Sequence, residues 1–232
     1  MKILFLDLET TGTNHWQHGI HQISGCIDIN GETKRSFNFK VRPNPAAKLN
    51  QEALDVGKVT IEQIQQYPPM IEVYQEIIQM LSEYVDKFNK SDKFFICGYN
   101  NAGFDNNFFR AFFVQNGDKY FGSWFWSNSI DVMVMATNLL LEQRSSMIDF
   151  KLKTVAKTLL IDIDETKLHD AEYDIFLTRS IYYHIKHAYS VDEKSIVQIL
   201  SNMAMESLSP DVLDKWEEVK HFLQLSRKNL KD

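Results

Sequence analysis

The stretch that most constrains this chain is Lys2–Gly12, KILFLDLETTG. The apolar run Ile3–Leu6, closed by a Gly turn, predicts a strand buried on both faces of a sheet. Side chains alternate along a strand, so Asp7 and Glu9 project from one face. Two carboxylates at the mouth of a buried strand repel each other and resist leaving water. A divalent cation between them removes both penalties. The question is then whether later segments bring more carboxylates to the same place.

At 232 residues the chain suits one good-sized domain, or one domain with an appendage. The balance of 44% hydrophobic and 24% charged residues is globular. A formal net charge of -6 argues against a protein that coats long nucleic acid by neutralising phosphates. It leaves room for an enzyme that grips a few terminal nucleotides. Cys26 and Cys97 lie in strand-like runs without a CxxC pair, which reads as two buried thiols in a reducing compartment. The N-terminal apolar run is too short for a signal peptide, and no later run could span a bilayer, so a cytoplasmic protein is expected.

The polar patch Thr13–Gly19, with His15, Trp16 and His18, reads as a solvated turn. Ile20–Asn30 and Lys34–Val41 flank Asn30-Gly31 as the two arms of a hairpin. After Pro43 and Pro45, Leu49–Thr60 reads as a loop with a helical turn. A helix is expected from about Pro69 to Phe88, a short buried strand over Phe94–Tyr99, and a helix over Asp105–Asn116. The aromatic segment Tyr120–Trp126 suits core packing or a subunit contact better than base stacking. A strand near Ser129–Asp131 leads into a helix over Val132–Glu142. Asp149 and Asp170 are placed to cap two further helices, the second reaching Tyr189 and burying Ile175, Phe176, Thr178, Ile181 and Ile185. Ser209-Pro210 opens the last of two helices beyond Val191. Three antiparallel strands followed by strands alternating with helices give an α/β fold with a mixed sheet.

The second acidic segment, Tyr99–Asp105, follows a buried strand and opens a helix, where ligand sites collect in open α/β sheets. Taken alone, Asp105 reads as an N-cap. The third is His169–Asp174. Five residues on a helix rotate by about 140° from a common face, so the two side chains converge only if His169 lies outside the helix. Capping by Asp170 puts it there.

In order, these segments read D-x-E-T, N-x(3)-D and H-x(4)-D. The pattern resembles the DEDDh branch of the DnaQ-like 3′–5′ exonuclease superfamily, which includes polymerase III epsilon-type proofreading exonucleases and RNase T. The resemblance covers about residues 1–188. It departs at Asn100, where proofreading subunits often carry His. It implies an RNase H-like fold, with a central sheet flanked by helices, and hydrolysis of nucleotides from a 3′ end. Oxygen ligands without thiolates select Mg²⁺ or Mn²⁺ rather than zinc, and the resemblance implies two such divalent cations. By resemblance, Asp7 bridges both ions, Glu9 and Asp174 complete the nucleophile-side ion, Asp105 holds the other, and His169 accepts the proton of the attacking water. Thr10, Thr11 and Gly12 would meet the terminal nucleotide, Asn101 would contact substrate or orient its loop, and Leu54 would wedge the terminal base.

The expected division is an exonuclease domain over residues 1–190 and a helical extension over 191–232. The extension could pad the sheet, form a homodimer or dock a polymerase. The substrate reads as single-stranded 3′ ends, with DNA favoured. The alternatives are an RNA-trimming enzyme and an inactive module that only binds nucleic acid or a partner.

Overall fold

Strands β1 (Lys2–Thr10), β2 (Ile20–Ile29) and β3 (Glu32–Lys40) form an antiparallel meander in the computed structural model, which describes residues 1–167 and 171–190. Asn30 and Gly31 turn the hairpin with φ of 56° and 94°, the positive values that a two-residue Asn-Gly turn uses. Short helices α1 (Gln51–Val56) and α2 (Ile61–Gln65) lead to α3 (Met70–Ser82). Strand β4 (Phe95–Gly98) then pairs with β1 in parallel. Helices α4 (Asp105–Gln115) and α5 (Phe121–Trp124) precede β5 (Ile130–Asp131), which adds in parallel to β4. Helices α6 (Val132–Leu139), α7 (Leu152–Thr158) and α8 (Ala171–Ser190) follow. The sheet order is β3-β2-β1-β4-β5, the mixed α/β sheet expected.

Strand β1 is the middle of that sheet and is sealed on both sides, with Ile3, Leu4, Phe5 and Leu6 at most 2% exposed. Its even residues, Leu4, Leu6 and Leu8, join the main apolar cluster with Val73 and Ile77 of α3 and Phe108 and Phe112 of α4. Each such side chain contributes roughly 1.5–3 kcal/mol by leaving water. Its odd residues face α8. Phe5 meets Tyr182 edge to face at 5.6 Å between ring centroids, and Asp28, opposite Ile3, binds Arg179 and Tyr183. Asp7 and Glu9 continue this second face.

Helix α3 stops at Ser82, short of the expected Phe88. Asp86 accepts the Phe88 amide at 3.0 Å and Asp92 accepts the Asp86 amide at 3.0 Å, local bonds that draw the backbone out of the helix. Phe176, expected inside, is 53% exposed, while its neighbour Leu177 is buried. Three aromatics of the segment are core: Phe121, Trp124 and Phe125 are buried, and Phe121 meets Phe109 and Phe113 at 5.9 and 5.0 Å, whereas Tyr120 is 73% exposed. Cys26 and Cys97 are buried free thiols. Among the described residues no helix is long and apolar enough to cross a membrane.

Backbone contacts divide the chain into Met1–His184 and Ile185–Asp232, a boundary inside α8 and slightly before the expected one. The expected helices beyond Val191, the cap Asp170 and His169 lie outside the described residues.

Candidate active site

The end of β1 is irregular where the chemistry is expected. Glu9 pairs with Gln22 and Thr10 with Ile20, so His21 is an extra residue on β2. Such a bulge twists the strand end and re-aims the side chains beside it. The His21 ring is wholly buried with no hydrogen-bond partner at either nitrogen, and burial, with Lys40 nearby, lowers its pKa to about 4. It is therefore a neutral packing group at ordinary pH.

Asp105 reaches this strand end through the loop after β4. Gly98 permits a close crossing: a Cβ there would lie 2.8 Å from the Asn101 Cβ and 2.9 Å from the Leu6 carbonyl oxygen. Asp131, at the end of β5, holds the loop by accepting the Asn100 amide at 3.1 Å and the Ala102 amide at 3.3 Å. The same carboxylate caps α6 by accepting the Met133 amide at 3.0 Å. Asp105 is the first residue of α4 and Phe104 holds the cap position, so the N-cap expectation is corrected. Its Oδ1 instead accepts the Leu8 amide at 3.1 Å, between Asp7 and Glu9. That amide is available because the parallel pairing of β1 with β4 ends at Phe5.

Burial raises the Asp105 pKa to about 7 against the opposing pull of its hydrogen bonds to its own amide and that of Leu8. Asp7 is raised well above the carboxylate range, first by burial and then by Asp105, Glu9 and Asp174. Asp105, Glu9 and Asp174 thus all act on Asp7, which is the centre of one acidic group. Asp174 belongs to it because α8 is anchored on the same face. Arg179 donates to Asp28 at 2.9 Å through Nε and to the Gly31 carbonyl at 2.7 Å. Tyr183 donates to the other Asp28 oxygen at 2.9 Å. Asp28 is itself wholly buried.

Among the described residues, no three His, Cys, Asp or Glu side chains stand close enough to enclose an ion as they are. Asp105 turns one oxygen onto the Leu8 amide. The donor set nonetheless fits a hard divalent cation. It is all oxygen, and its central member is held in a place where its own charge is unfavourable without a counter-charge.

The expected substrate residues differ in what they offer. Thr11 donates its amide to the Gly19 carbonyl at 2.8 Å and its hydroxyl to the Lys48 carbonyl at 2.8 Å. Its hydroxyl accepts the Gly19 amide at 3.0 Å. Thr11 therefore builds the turn, its amide and hydroxyl both engaged within it. The Thr10 hydroxyl donates to the Gly12 carbonyl at 2.8 Å. A Cβ at Gly12 would lie 2.3 Å from the His18 ring, so the turn packs directly on the following loop. Leu54 is wholly buried in α1, which corrects its expected role as an exposed wedge. Asn101 is wholly buried; its Nδ2 lies 3.4 Å from Asn106 Oδ1, and its own Oδ1 has no donor. An unsatisfied buried carbonyl costs about 1–3 kcal/mol, which a donor from substrate or water would relieve.

Two residues outside the acidic motifs shape this site. Asp131 was visible only as an acid before a helix, an N-cap pattern. The Asp28–Arg179 pair has no local sequence signal, because its members lie on β2 and α8.

A family model described as exonuclease (RNase_T) matches residues 4–182. A comparison with curated proteins gives no match. Among solved structures, E. coli Exonuclease I with a dT13 oligonucleotide superposes with a TM-score of 0.64 at 20% identity, over 80% of this chain and 41% of that one. A zinc-bound E. coli ExoI–ssDNA complex gives 0.65 at 20% identity, over 81% and 40%. An SSB/Exonuclease I structure with the inhibitor CFAM gives 0.62 at 19% identity, over 80% and 41%. The chain thus spans about two-fifths of the length of these proteins, and the likeness is one of fold. The family match over most of the chain makes the identification: the chain belongs to the exonuclease family, as a DnaQ-like 3′–5′ exonuclease domain of the DEDD superfamily.

Proposed function

We propose that this chain removes nucleotides from the 3′ end of single-stranded DNA with the help of two divalent cations, Mg²⁺ or Mn²⁺, held by Asp7, Glu9, Asp105 and Asp174. The observation that carries the reading is the gathering of acids at the buried end of β1, where Asp105 accepts the Leu8 amide between Asp7 and Glu9. Such a group is poised for cations rather than for structural ion pairing. When bound, a cation pair supplies charge neutralisation for the scissile phosphate and activation of the attacking water.

The chain's own residues do the rest. Asp7 would be shared by the cations, Glu9 and Asp174 would hold the one that activates the attacking water, and Asp105 would hold the other. His169 takes the proton from the attacking water, because the carboxylates are engaged and an imidazole titrates near neutral pH. Asn101, wholly buried after β4, orients the loop that leads to Asp105. Thr10 and Gly12 shape the turn on which the terminal nucleotide rests.

Single-stranded DNA is favoured by the neighbours, since the E. coli enzyme is solved with a dT13 oligonucleotide and with ssDNA. A second copy or a polymerase as partner draws no support of this kind. The buried free thiols support a cytoplasmic setting. The domain is taken as residues 1–190, with 191–232 an appendage.

Matched DNA and RNA oligonucleotides, single-stranded and blunt duplex, test this reading with Mg²⁺, with Mn²⁺ and with EDTA. Metal-dependent release of mononucleotides from the 3′ end of single-stranded DNA is expected. Faster trimming of RNA would move the substrate to RNA. Binding without hydrolysis under every metal would leave an inactive binding module.

A further inference from the structure

The loop between β1 and β2 carries the most exposed large aromatic near the site. Trp16 is 84% exposed, although a lone surface indole leaves a large apolar face in water. Its surroundings are ordered. The Trp16 amide donates to Asn14 Oδ1 at 2.9 Å, the His18 amide to the Asn14 carbonyl at 2.8 Å, and the Lys48 amide to the Gln17 carbonyl at 2.7 Å. Thr11 closes the base of the loop, and Gly12 packs on the His18 ring.

The position is specific too. The His15 ring lies 4.8 Å from the Trp16 ring and meets Phe108 edge-on at 6.1 Å. Phe108 is on α4, about one turn beyond Asp105. The indole is therefore braced from behind by a side chain that rests on the helix bearing an expected metal ligand.

The sequence that carries the loop is poor in acids beyond the cluster at the end of β1. Between Glu9 and Glu52 the only carboxylates are Asp28 and Glu32, both near the hairpin turn at the far end of β2. The loop end of the sheet instead carries Arg42 and Lys48, and Lys48 Nζ lies 3.2 Å from Gln17 Oε1.

We propose that Trp16 is a stacking platform for an unpaired base upstream of the 3′ terminus, with Lys48, beside Gln17, to meet an adjoining phosphate. The inference rests on the exonuclease reading above. A single aromatic face among polar and cationic groups suits a nucleobase, because every base offers a π-face to stack on. A protein interface would need a contiguous apolar patch, whereas the exposed neighbours Thr13, Asn14 and Gln17 are polar. Stacking of this kind also favours single strands, whose bases are free to swing onto the ring.

The test measures steady-state trimming of single-stranded DNA by the full chain with Trp16→Ala and Trp16→Phe, using oligonucleotides with one abasic site walked back from the 3′ end. Trp16→Ala should raise KM by about 5- to 150-fold, the loss expected for one stacked base, with kcat little changed. Trp16→Phe keeps a ring, guards against a folding explanation and should lie between Trp16→Ala and the wild type. One abasic position should weaken the wild type by a similar factor and have no further effect on Trp16→Ala, because the two changes remove the same contact. An unchanged KM in Trp16→Ala overturns the inference, as does an abasic effect that adds fully to the mutation at every position. In either case trimming by the wild type leaves the exonuclease reading standing. A wild type that trims no 3′ end removes both.

Discussion

Asp105→Asn should stabilise the metal-free protein at alkaline pH and not at acidic pH. In the fold the Asp105 pKa is raised from its ordinary 3.8 to about 7. A raised pKa means that the folded chain holds the proton longer than the unfolded one. The stability this gives is fully present below about pH 4 and is lost as pH rises through about 7. At about 1.36 kcal/mol per pH unit, the ionised group costs the fold roughly 4 kcal/mol above neutrality. Asn keeps the carbonyl oxygen that accepts the Leu8 amide and removes the charge. A gain of about 2–4 kcal/mol is expected in EDTA near pH 8, or about 5–15 °C in Tm for a domain of this size. Near pH 5 most of the difference should vanish. Saturating Mn²⁺ should raise the wild-type Tm by binding the folded state, and should help the variant less. Thermal melts followed by circular dichroism at both pH values, with Mn²⁺ and with EDTA, measure all of this. A difference between variant and wild type that is independent of pH, or a less stable variant near pH 8 in EDTA, would refute the reasoning.

Arg179→Met should lower stability by roughly 3–5 kcal/mol, because it leaves Asp28 buried without its cation. It should also weaken Mn²⁺ binding in calorimetry, since α8 carries Asp174; a lower Tm with unchanged metal affinity would show that the pair does not position that acid. His169→Asn should lower kcat by about 10²–10⁴-fold while Mn²⁺ affinity stays nearly unchanged. Near-normal turnover in His169→Asn would remove it as the base.

What could be read from the sequence was local. The run Ile3–Leu6 announced a doubly buried strand, and Asn30-Gly31 announced the hairpin, because each depends on a few adjacent residues. The acidic segments were visible one at a time, and the family pattern joined them. What escaped is set by partners distant in sequence. The Leu8 amide that orients Asp105 depends on where pairing with β4 ends. The grip of Asp131 on the Asn100 loop and of Arg179 on Asp28 needs the folded sheet. Leu54 reads as a loop residue free to touch a base until α1 folds it inward. The bonds of Thr11 to Gly19 and Lys48 likewise need the folded turn. The early end of α3 follows from side-chain bonds of Asp86 and Asp92, which compete with helical periodicity.

The central claim is that Asp7 anchors cation-dependent hydrolysis from a 3′ end. The direct measurement follows a 5′-labelled single-stranded oligonucleotide in Mg²⁺ or Mn²⁺ with wild type and with Asp7→Ala, beside calorimetric Mn²⁺ titrations of both proteins. The account predicts a ladder of products shortened from the 3′ end by the wild type. It predicts no ladder from Asp7→Ala, which should remain folded because removing the acid on which the other three act relieves the metal-free site. It also predicts weakened Mn²⁺ binding by the variant. A folded Asp7→Ala that trims at the wild-type rate, or a wild type that trims fully in EDTA, would contradict it.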